Sequence, residues 1–108
     1  MKTNASVKEF VSMLKDADEN VRIFAALRLG SLGAEAQPAA PALAELLHSE
    51  NPIDRRFASL ALGQVGPAAK GALPLLVEAL EDADGGVRKF AAEAIQKIDP
   101  KAVKRRAA

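Results

Sequence analysis

Residues able to do acid–base or nucleophilic work are few. His48 is the only histidine, and cysteine, tyrosine and tryptophan are absent. A nucleophile needs a base beside it, so one imidazole and no thiol leave triad or dyad chemistry poorly supplied. Disulfides and thiolate metal sites are excluded outright. Gly63-Gln64-Val65-Gly66 and Gly85-Gly86 follow no strand pattern and carry no P-loop lysine, so they do not read as phosphate cradles. Of the carboxylates, Asp16, Asp18, Asp82 and Asp84 fall where turns and helix caps are expected, and Glu45 and Glu78 recur on an outer helical surface. The reading is of no catalytic residues, no cofactor and no metal.

Charge narrows the partners. Fifteen Lys plus Arg against fourteen Asp plus Glu give a net charge of +1, too little to steer a whole molecule toward a polyanion. Lys101-Ala102-Val103-Lys104-Arg105-Arg106 is the only concentrated charge. It could pair with phosphates, but reads more simply as a solvated tail whose cations complement a helix carboxyl end. Nucleic acid is therefore disfavoured. The amino terminus lacks the apolar stretch of a signal peptide, and no segment reads as the roughly 20 apolar residues that span a bilayer. With no cysteine, a cytoplasmic protein without membrane contact is expected.

The elements that must position these residues repeat along the chain. At a spacing of 33, Arg22, Arg55 and Arg88 align, as do Phe24, Phe57 and Phe90, Ala25, Ala58 and Ala91, and Leu29, Leu62 and Ile95. The register extends back through Phe10, Leu43 and Leu76 and through Leu14, Leu47 and Leu80, so each unit holds two apolar segments. At about 100° per residue, Val21, Phe24, Ala25, Arg28, Leu29 and Leu32 share one broad face of a helix. This predicts three helical hairpins with the phenylalanines in the core.

Boundary signals agree. Ser6 to Glu9 fits a capping box opening the first helix. Asp18, Asp84 and Asn51 before Pro52 suit amino-terminal caps of second helices. Gly33 and Gly66 stand where helices should stop, and Pro41 and Pro74 where first helices should begin or kink. The expected organisation is a single domain over residues 1–100, with repeats at about 7–39, 40–72 and 73–100, and a basic tail at 101–108.

A period near 33 also fits ankyrin repeats, but nothing matches their Thr-Pro-Leu-His signature. Asp16 to Arg22 and Asp82 to Arg88 instead resemble the inter-helix turn of HEAT repeats. Leu-Gly-Ser-Leu-Gly at 29–33 and Leu-Gly-Gln-Val-Gly at 62–66 are similar to short bacterial HEAT repeats, a kind also found in phycobilisome lyases. The resemblance covers residues 7–100 and implies an all-α, right-handed α-solenoid of about six helices. It also implies a ladder of hydrogen bonds between Asp and Arg six residues apart, here Asp16 with Arg22 and Asp82 with Arg88. Before Arg55 the acidic position is Ser49, so the middle rung is weaker or is supplied by Glu50 or Asp54. One enzymatic HEAT branch, the deoxyhypusine hydroxylases, binds iron through His-Glu pairs; His48 is followed by Ser49, so no such site can be built.

Terminal repeats need polar outer faces. Positions 27, 60 and 93 read Leu, Leu, Glu, as for a face looking toward the following repeat. Positions 28, 61 and 94 read Arg, Ala, Ala, and 9, 42 and 75 read Glu, Ala, Leu, as for a face looking backward. These columns suggest finished ends and a monomer, with self-association as the alternative. Second helices of such arrays line a concave surface, where Ile23, Arg56 and Lys89 form the column farthest from the expected core, with Ser59 and Gln96 in the columns beside it. The expected function is a scaffold binding a protein or peptide, such as an acidic helix, on that face. Alternatives are an accessory subunit of a bilin-lyase-like or chaperone system, resting on resemblance alone, and a self-assembling structural module.

Overall fold

Three side chains decide where the second helices start. Asp18, Asn51 and Asp84 sit in extended backbone and accept hydrogen bonds from the N–H groups of Asn20, Ile53 and Val87. Each satisfies a donor that the first helical turn leaves open, worth about 1 kcal/mol. The computed structural model describes residues 3–101, with side chains from Val7 onward. Among the described residues six α-helices result: α1 (Thr3–Met13), α2 (Glu19–Ser31), α3 (Ala40–Leu46), α4 (Pro52–Val65), α5 (Leu73–Ala79) and α6 (Gly85–Ile98). There is no strand among the described residues, and the fold is an all-α array of helical hairpins.

Gly33 and Gly66 carry positive φ of 59° and 82°, a conformation open to glycine at little cost, and each turns the chain into a 3₁₀ connector. The connectors, Gly33–Ala39 and Gly66–Ala72, lead into α3 and α5, whose first turns hold Pro41 and Pro74. Two expectations need correction. Helix α1 begins at Thr3, so Ser6 lies within the helix instead of capping it. By length and composition Pro52–Ala79 is apolar enough to cross a membrane, but the turn at Gly66 divides it into α4, connector and α5, and many of its residues are buried in the core. Lys104, Arg105 and Arg106 of the basic tail lie outside the described residues.

The most extensive helix contacts join successive second helices, α2 with α4 and α4 with α6. Among the described residues, alanines are as numerous as all other buried apolar residues together, and this lets the helices approach closely. Ala25, Ala58 and Ala91 are fully buried, as are Leu29 and Leu62, with Ile95 nearly so. The phenylalanine column is not the core. Phe24 is 50% exposed, and Phe57 and Phe90 are only partly buried. Each precedes its buried alanine by one residue, about 100° around the helix, so it lies at the edge of the apolar stripe. Phe24 instead meets Phe10 of α1 edge to face, with centroids 6.1 Å apart.

Stability should follow this arrangement. Leu62→Ala, which empties the centre of the middle repeat, should cost about 3 kcal/mol in urea unfolding. Phe24→Ala should cost about 1 kcal/mol, since it loses half-exposed surface and one ring contact. A larger loss at Phe24 than at Leu62 would contradict this core.

Candidate interaction surface

The turns between paired helices hold the chain's polar architecture. Arg22, at the start of α2, donates through Nη1 to the backbone carbonyls of Asp16 and Ala17, 2.8 and 3.0 Å away. Its Nε reaches across to Asp54 Oδ1 of the next repeat at 3.0 Å. Arg55 repeats the pattern, with Nη1 on the Ser49 carbonyl and Nε and Nη2 on both oxygens of Asp82 at 2.9 Å. Arg88 keeps the local half, its Nη1 on the carbonyls of Asp82 and Ala83.

The rungs therefore run between repeats, not between the side chains of residues six apart. Asp16 and Asp82 serve their own arginines through backbone carbonyls, because an arginine rising from the first helical turn lies over the preceding turn and its outer edge faces the following repeat. Asp54 fills the middle position that lacks an acid. It is 4% exposed and also accepts from Ser49 Oγ at 2.7 Å, so its two oxygens are shared between a charged and a neutral donor.

A second row lies beside the first. Asn51 Nδ2 donates to Glu19 at 3.1 Å, and Arg56 donates from Nε and Nη2 to both oxygens of Asp84 at 2.8 and 2.9 Å. Gly86 gives Arg56 room for this, since a Cβ there would stand 2.5 Å from its Nε. Asp84 thus caps α6 and anchors Arg56 together. Hydrogen bonds from Arg56, then from the Val87 N–H, hold its carboxyl well below the usual carboxylate range, against a smaller opposing effect of burial. Asp82 is likewise lowered, first by the hydrogen bond from Arg55 and also by the Asp84 N–H, with burial opposing.

The residues expected on the partner-binding face are distributed differently. Ser59 is fully buried and its hydroxyl donates to the Arg55 carbonyl, so it is unavailable to a partner. Arg56 is committed to Asp84 and 37% exposed. Ile23 is half-buried, while Lys89 and Gln96 are exposed. Gly30 and Gly63, in the column of Gln96, back onto the following second helix: a Cβ on Gly63 would lie 2.9 Å from Ala94 Cα, and one on Gly30 3.3 Å from Ala61 Cα. That column and the column of Ala26 and Ser59 face the next repeat. Positions 28, 61 and 94 face the previous one, with Ala61 and Ala94 buried and Arg28 exposed, its guanidinium 5.8 Å from the Phe10 ring centre.

The column expected to meet the following repeat, Leu27, Leu60 and Glu93, is instead the one turned away from the first helices. Leu27 is 40% exposed, Leu60 half-buried and Glu93 exposed. Helical spacing carried the signal: position 27 lies about 200° from the buried Ala25, opposite the core. With Ile23 and Ile53, these leucines make one half of the free face apolar, and Lys89, Glu93 and Lys97 make the other half charged. His48 borders an open cleft with Leu14, Lys15 and Glu45, and no group of three or more metal-ligating side chains occurs among the described residues.

Stacked helical hairpins tied by guanidinium–carboxylate rungs define an α-helical repeat protein. A family model for HEAT repeats matches residues 1–59 and 40–107, and the chain belongs to the HEAT-repeat family. No curated protein matches it. Proteins of this family are commonly scaffolds for protein interaction and typically non-enzymatic.

The lowered carboxyls of Asp82 and Asp84 set a pH dependence. Their folded values lie below those of the unfolded chain, so the unfolded state binds more protons in acid. The stabilisation is complete above the ordinary aspartate range, near 4, and is lost as pH falls below it. In urea titrations at neutral pH and near pH 2, wild type should lose more stability than the double variant Arg55→Gln, Arg56→Gln. Equal acid losses would contradict the assignment.

Proposed function

We propose that the chain is a protein-interaction scaffold whose docking surface is the free face of the second helices. The observation that carries the reading is the exposure of Leu27, in line with Leu60 and beside Ile23, on a face that ends in Lys89 and Lys97. An amphipathic helix laid along it would bury apolar residues on the leucines and bring carboxylates to the lysines, a familiar helix-in-groove mode. The partner is thus a protein segment with an apolar stripe and acidic residues toward one end. A cytoplasmic setting suits the cysteine-free sequence.

A role as accessory subunit of a bilin-lyase-like or chaperone system draws only on the similarity of residues 29–33 and 62–66 to short bacterial repeats. Added bilin should then change its absorbance, and an unchanged spectrum would dismiss that role.

A photo-crosslinking residue at position 60, compared with one at the exposed Glu45 of α3, tests the surface. Adducts should form at 60 and not at 45, map to an apolar and acidic segment, and vanish on Leu27→Asp. Equal yields at both positions would exclude this face.

A further inference from the structure

The two internal junctions show how one repeat receives the next. Each has a guanidinium reaching a carboxylate of the later repeat, Arg22 to Asp54 and Arg55 to Asp82. Each has a polar contact at the following cap, Asn51 with Glu19 and Arg56 with Asp84. Each also has a glycine backed onto an alanine, Gly30 on Ala61 and Gly63 on Ala94.

Among the described residues, the outer faces of the first and third repeats carry matching halves without a charged partner. Arg88 occupies the position of Arg55 and is held by the same kind of backbone contacts, yet no carboxylate pairs with it among the described residues. Lys89 follows it at the position of Arg56. At the other end Asp16 and Asp18 stand where Asp82 and Asp84 stand. Their carboxylates accept the N–H groups of Asp18 and Asn20, and no cation pairs with either carboxylate among the described residues. Phe24 lies open at this end, 50% exposed, whereas Phe57, behind which a repeat is stacked, is partly buried against the core.

A second copy stacked head to tail would bring Arg88 and Lys89 to Asp16 and Asp18 and would cover Phe24. Two residues stand against it. Gln96 takes the position of Gly30 and Gly63, and Arg28 that of Ala61 and Ala94. The internal contact has no room for even a methyl group at Gly63, so glutamine against arginine holds the helices apart. Exposed charge pairs alone bind weakly.

We propose that the ends of the array are complementary docking surfaces for a second copy of this chain, and that Arg28 and Gln96 keep them from closing. The contact is heterologous, so once opened it continues from copy to copy.

Native mass spectrometry over a concentration series tests this. Wild type should remain a single copy. Arg28→Ala with Gln96→Gly should give a ladder of masses that grows with concentration and collapses to single copies when Asp16→Lys and Asp18→Lys are added. Mixing the two single variants should yield pairs and nothing longer, because each has one opened end; circular dichroism confirms that each is folded. A folded double variant that stays single, a ladder that survives charge reversal, or a wild type that already forms the ladder would each overturn the proposal.

Discussion

The distance between successive second helices is the constraint on which the structure depends. Gly63 backs onto Ala94 so closely that a Cβ would stand 2.9 Å from the alanine Cα. At that separation α4 and α6 share their longest contact, and the layer of second helices becomes nearly continuous. Small residues along the seam let backbones approach and gather many weak dispersion contacts. The same approach brings Arg55 within reach of Asp82, and Arg56 within reach of Asp84.

Packing and polar contacts therefore depend on one another. The guanidinium of Arg22, like that of Arg55, is oriented by carbonyls of its own turn before it meets the next repeat, so little side-chain freedom remains to be lost on pairing. The carboxylates it meets also accept backbone N–H groups or a serine hydroxyl, so the junction's charges are hydrogen-bonded as well as paired. The helices, connectors and rungs form a slab 43 × 29 × 16 Å, and each second helix in it carries both buried and solvent-accessible residues.

Much of this was legible in the sequence. The 33-residue register, the caps at Asp18, Asn51 and Asp84, and the stops at Gly33 and Gly66 depend on local chemistry, and local chemistry is what spacing reports. The errors concern direction around a helix and between repeats. An apolar stripe drawn from Val21 to Leu32 includes Phe24, because periodicity marks a broad face without saying where the neighbouring backbone stops admitting large side chains. Leu27 looked like an inter-repeat residue because its column turns polar in the last repeat, yet Gly30 and Gly63 hold that place, and a glycine carries no hydropathy signal. The Asp–Arg spacing located the ladder residues, but which repeat an arginine reaches depends on helix separation, and no spacing within one repeat encodes that.

Gly63→Ala, with Gly30→Ala as control, tests the central constraint most directly by urea unfolding. Helix propensity alone would make both more stable by about 1 kcal/mol. At Gly63 the added methyl meets the Ala94 backbone, so the helices must separate and stability should fall by about 1–3 kcal/mol. At Gly30 it meets chiefly the end of the exposed Gln64 side chain, which can move, so the change should stay within about 1 kcal/mol of wild type. A Gly63→Ala protein as stable as wild type, or more so, would show that the close approach of the second helices does not hold this array together.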